Sequence, residues 1–238
     1  MPDRGHVRRS WESPASRPGA RAGREAAVVY LYWLPLGAGG HCVRINGRVF
    51  EAVSARAHRR KPQDLYHSAL EVRLEGNRYA IEMAPVWHEP ANERGVVAEG
   101  AVGSQWVGRL RLFRYEIRCW RDGRIPDIDE AVESPLELTR DPDRARRLLS
   151  LVAAVPTPVW GRDDLGAGDM WNSNSLVSWL ITRSGIATPS RGVLPGIHPP
   201  TGGRAPGWAA GIAVAARQQT LSTDQIEPRR HTPEPTNA

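Results

Sequence analysis

Two stretches of the chain carry the residue types that bond-breaking chemistry needs. The first reads Tyr66-His67-Ser68-Ala69-Leu70-Glu71-Val72 and, after a turn, Tyr79-Ala80-Ile81-Glu82-Met83-Ala84-Pro85. The spacing predicts a hairpin in which His67 opens one strand and Glu82 lies on its partner. Side chains across a hairpin approach to about 5–8 Å. A carboxylate at that distance orients an imidazole and stabilises its charged form, as a general base requires. Glu71 is a rival orienter on the face of His67, but farther along the strand. The plain alternative is a surface histidine on an exposed strand face.

The second stretch is Trp171-Asn172-Ser173-Asn174-Ser175-Leu176-Val177, at the start of a predicted helix. A nucleophile there meets unpaired helix N–H groups and the positive end of the helix dipole, both of which favour an oxyanion. Asn and Ser are also the preferred helix-capping residues. By itself, the Asn-Ser-Asn-Ser run therefore reads first as a cap.

Together the stretches carry a pattern: H-x-x-L-x-V opening a strand, a second strand ending I-E-x, and a later helix with x-S-L-V. This resembles the circularly permuted papain-like hydrolases, relatives of the NlpC-type peptidases and of lecithin:retinol acyltransferase. The resemblance spans about Tyr66–Ile181. It implies an α+β fold and a cysteine nucleophile at a helix N-terminus acting on amide or ester bonds. Matched residue by residue, His67 takes the place of the base and Glu82 that of the orienting acid. Ser173 stands where the family has its Cys, three positions before Leu176-Val177. Asn172 and Asn174 flank it as candidate oxyanion or substrate contacts.

The serine is a large chemical departure. A thiol is readily ionised by a helix N-terminus and a nearby imidazolium, whereas a hydroxyl must lose its proton to a well-placed base during attack. Two expectations follow. Either Ser173, His67 and Glu82 form a serine hydrolase or acyltransferase site, or catalysis is lost and the domain serves as a binding or scaffold protein. Neither expectation calls for a cofactor or a metal. The substrate class is open among small molecules, peptides and lipid-like compounds.

The elements that must position these residues divide the chain. Residues 1–25 are rich in Arg, Gly, Pro and Ser and read as a disordered basic arm, because they cannot bury enough apolar surface to offset ordering. Residues 26–216 read as one α+β domain, an antiparallel sheet with two or three helices packed on it. Residues 217–238 read as a disordered tail. Strands are expected at Val28–Leu34, in a hairpin around Asn46-Gly47, in the His67–Pro85 hairpin with its turn near Gly76-Asn77, and at Arg109–Trp120. Residues 88–108 read as loop. Helices are expected from an Asp141-Pro142-Asp143 cap to Val155 and from Asp169 to Ser184, with Gly185 ending the second. The Pro- and Gly-rich stretch 189–208 reads as a loop able to cover a site, and Gly211–Ala215 as a last short strand.

Composition excludes several classes. The net charge of +6 is divided: six Arg face three acids in residues 1–25, and three of each occupy residues 217–238. What remains is a nearly balanced core, and a single lysine, Lys61, among the basic residues points to coding bias rather than phosphate recognition. Nine Trp interleaved with Arg could supply stacking platforms, but no nucleic-acid-binding motif accompanies them, and nucleic acid is not an expected partner. Two cysteines exclude a disulfide framework. Cys119 reads as a small core residue, and Cys42 shares no strand face with His41. The seven histidines show no metal-ligand spacing, and there is no phosphate-binding glycine loop. No apolar run approaches the ~20 residues of a membrane span. Ala26–Leu36 reads as a buried strand rather than a signal peptide, so a cytoplasmic location is expected.

Overall fold

The computed structural model describes residues 27–36, 51, 55–56, 59–86, 95–104, 108 and 113–224. The expected Asn46-Gly47 hairpin and residues 1–25 lie outside them, as do residues 109–112 of the expected Arg109–Trp120 strand and the tail beyond 224. The architecture is α+β. Among the described residues, seven strands run β1 (Val28–Pro35), β2 (Asp64–Leu74), β3 (Asn77–Pro85), β4 (Val96–Ala101), β5 (Arg114–Arg121), β6 (Leu136–Thr139) and β7 (Gly203–Arg204). Six of them form an antiparallel sheet in the order β4-β5-β3-β2-β1-β6, and β7 adds a short parallel pairing at the start of β2. The helices that pack with the sheet are α1 (Pro142–Leu151), α2 (Ser173–Ser184) and α3 (Trp208–Asp224). None among the described residues is long and apolar enough to cross a membrane.

Strand alternation sorts the side chains onto two faces. Leu31, Trp33, Leu70, Val72, Ile81 and Ile117 point to one face and join Leu148, Leu176, Leu180 and Ile212 of the helices in the main core. The other face carries a smaller cluster of Tyr32, Leu34, Ala69, Ala80 and Ile125. Trp33 packs against Trp208 with ring centroids 4.9 Å apart and planes tilted by 49°, and Tyr115 meets Trp160 edge-on at 5.5 Å, so these aromatics serve packing. The β2–β3 hairpin forms as expected. Its two-residue turn is Glu75-Gly76, both at positive φ (53° and 77°) as a type I′ turn demands, one position earlier than the expected Gly76-Asn77.

Asp141 caps α1, its Oδ1 accepting from the N–H groups of Asp143 (2.8 Å) and Arg144 (3.3 Å). The α-helix stops at Leu151, and a 3₁₀ turn carries the chain on through Ala154. Strand β4 lies where the sequence reads as loop. Gly95 and Gly100 interrupt the apolar alternation that would otherwise announce it.

The expected strand at Gly211–Ala215 is wrong: these residues lie in α3, which continues past 216 to Asp224. The apolar run is short and Ala-rich, and tertiary packing decides its state. At Gly211 the two helices all but touch. A Cβ there would lie 2.1 Å from the Ser175 carbonyl oxygen and 2.2 Å from Ser178 Oγ. The 189–208 stretch is mostly loop, as expected. It is tied down by β7 and by Pro206 and Gly207, whose carbonyls accept from the first turn of α2.

Candidate functional site

Helix α2 begins at Ser173, four residues later than Asp169, because Asn172 is extended and acts as the cap. Its Oδ1 accepts from the N–H groups of Asn174 (2.9 Å) and Ser175 (3.3 Å), while Ser175 Oγ accepts from Asn172 N (3.1 Å), a capping box. Asn172 Nδ2 donates to the Pro206 carbonyl (2.9 Å). The Asn-Ser run thus is a cap, as its composition suggests.

Asn174 does something the sequence does not announce. Its Nδ2 donates to the carbonyls of Tyr66 and Pro206, and its Oδ1 accepts from Ser68 Oγ, each at 2.9 Å. Tyr66 and Ser68 are the residues on either side of His67. The first turn of α2 is therefore docked on β2 at the histidine, and the fold brings the backbones of Ser173 and His67 into one neighbourhood. The amide side chains of Asn172 and Asn174 are engaged internally, which removes them as substrate contacts. The N–H of Asn174 is held by the cap as well. Of the expected oxyanion donors, the N–H of Ser173 remains.

The side chains of the expected triad are not connected. Pairing of Leu34 with His67 and of Trp33 with Ser68 places His67 on the Leu34–Ala69 face, and Ser68 on the face toward α2. Glu82, two residues from Ala80, shares the face of His67, as the hairpin geometry predicts. No hydrogen bond joins Ser173, His67 and Glu82 to one another. Glu82 instead accepts from Arg118 Nη1 (2.8 Å), and Arg118 Nε donates to Glu116 (2.5 Å). All three members of this cluster are buried, with exposures of 7%, 4% and 0% for Glu82, Arg118 and Glu116. Burial raises the Glu82 carboxyl above its ordinary value, and the Arg118 charge opposes that rise.

Burial alone pushes the half-buried His67 imidazole down to about 4. At neutral pH it is uncharged, and against an ordinary value near 6.5 it is a base weaker by about 300-fold. Ser173 is buried, with 5% exposure, and neither its hydroxyl nor its N–H is bonded to a described residue.

Sequence reasoning misses Glu116 and Arg118. The signal is present in Arg114-Tyr115-Glu116-Ile117-Arg118, where three charges at two-residue spacing must share a strand face. Cys119 is half-buried, and burial lifts its thiol to about 11, consistent with a packing role. Among the described residues, no three His, Cys, Asp or Glu side chains are grouped to hold a metal ion. Comparison with protein-family models, with curated proteins and with solved structures gives no match.

Proposed function

We propose that this chain is a papain-like α+β domain of the permuted kind that binds a ligand at the N-terminus of α2 without cleaving it. The observation that carries this reading is the pairing of Glu82 with Arg118. A serine hydroxyl needs a base whose imidazolium is stabilised and oriented by a third group. Here the carboxylate placed for that task is held by a buried arginine. His67 is left to desolvation alone, which weakens it as a base. The exchange of the family's Cys for Ser173 points the same way, since the helix N-terminus that ionises a thiol does far less for a hydroxyl.

One observation favours the rival reading, a serine hydrolase or acyltransferase. The Ser173 hydroxyl is unbonded among the described residues, at a helix N-terminus docked on the β2 backbone on either side of His67. Labelling with a serine-directed fluorophosphonate, read by peptide mass spectrometry, decides between the two. Binding without cleavage predicts no adduct on Ser173 above the level of Ser173→Ala. A stoichiometric adduct on Ser173, lost in that variant, overturns the proposal in favour of the hydrolase.

A further inference from the structure

The first turn of α2 has an unequal account of donors and acceptors. Of its leading N–H groups, those of Asn174 and Ser175 go to Asn172 Oδ1, and that of Leu176 goes to the Asn172 carbonyl at 3.0 Å. The Ser173 N–H has no partner among the described residues, and neither has the Ser173 hydroxyl on a side chain that is nine-tenths buried. Just ahead of the cap, the Trp171 indole Nε1–H is buried and unpartnered too. Each unmet group is a donor or, in the hydroxyl, able to act as one. No acid occupies the first turn. The nearest acid in sequence, Asp169, gives one oxygen to the N–H of Met170 (2.8 Å) and the other to that of Gly207 (2.7 Å). Of the unmet side-chain groups the Trp171 N–H is fully buried, which is costly without an acceptor, and the N-terminal end of a twelve-residue helix favours negative charge.

We infer that the ligand bound at the N-terminus of α2 presents a carboxylate, held by the N–H and hydroxyl of Ser173. This rests on the binding reading above. Two donors on one residue suit the two oxygens of a monoanion. A phosphate group calls for the Arg or Lys clusters that usually accompany it, and no Arg or Lys hydrogen-bonds to the first turn among the described residues. The His67 side chain lies on the other face of the sheet, which leaves the helix end and Ser173 as the source of attraction.

Benzoate and its neutral counterpart benzamide test this on the full chain, by calorimetry and by the amide ¹⁵N shift of Ser173. Benzoate is expected to bind at least tenfold more tightly than benzamide and to move the Ser173 amide. Ser173→Ala is expected to weaken benzoate about tenfold, the loss of one charge-assisted hydrogen bond, and to leave benzamide unchanged. The Ser173 amide shift in the unmodified chain reports the same contact if the variant misfolds. Equal affinity for the two probes, or an unmoved Ser173 amide, overturns the carboxylate inference while binding without cleavage stands. Ser173-dependent acylation by p-nitrophenyl benzoate overturns binding without cleavage itself, whatever benzoate does.

Discussion

Removing the arginine between Glu82 and Glu116 tests how this sheet face is held. Arg118→Met keeps much of the side-chain volume and deletes the charge, leaving Glu82, at 7% exposure, without its cation and taking one partner from the buried Glu116. Breaking a buried ion pair from one side costs about 3–5 kcal/mol, a large share of the ~5–15 kcal/mol that holds a domain together. The cost depends on pH. Glu82 is already raised by burial, with Arg118 acting against the rise. Without Arg118 its folded-state value climbs further above that of the unfolded chain. A carboxyl raised on folding contributes most below its unfolded value and loses that contribution as pH rises through its folded value. The variant should therefore be less destabilised at pH 5 than at pH 8. Urea unfolding followed by tryptophan fluorescence at both pH values measures this directly. Adding Glu82→Gln to Arg118→Met should recover part of the loss at pH 8, and Arg118→Lys should fall between the two. A loss below 1 kcal/mol at pH 8, or a loss indifferent to pH, would refute the reasoning.

Two further outcomes follow from the packing. Gly211→Ala should cost about 1–3 kcal/mol, because the new methyl meets the Ser175 carbonyl oxygen and the helices must part; an unchanged melting temperature would contradict the close approach of α2 and α3. In a Cys42→Ser background, Cys119 should react with a thiol-specific disulfide reagent at pH 8 far more slowly than the urea-unfolded chain, since burial holds its thiol at about 11. Comparable rates in the two states would show that Cys119 is open.

Much of the fold can be read from local pattern, and the failures have physical causes. The His67–Pro85 hairpin and the Asp141 cap each follow from alternation, turn chemistry or capping within a short window. Helix α3 does not, because Gly-Ile-Ala-Val-Ala suits either state in isolation. What fixes it is a glycine at a helix crossing, a contact made with residues 175 and 178. Strand β4 is hidden by its own glycines.

At the site, pattern places His67 and Glu82 on one hairpin and Ser173 near the start of a helix, which it begins four residues early at Asp169. It cannot say where Glu82 directs its charge. That depends on Arg118, 36 residues away on another strand, and an acidic residue beside a histidine reads the same whether it serves the histidine or an arginine. Asn174 presents the same difficulty. Its position suggests a substrate contact, and only the fold shows its amide joining Tyr66, Ser68 and Pro206.

The central claim is that His67 stands unsupported by Glu82, and the titration of His67 tests it most directly. Following the imidazole ¹H and ¹³C shifts from pH 3 to 9, with His67→Gln to assign the resonance, should give a midpoint at about 4. Glu82→Gln should leave that midpoint nearly where it was. A midpoint at or above the ordinary histidine value of about 6.5, falling when Glu82 is replaced, would show a carboxylate-supported base and contradict the account.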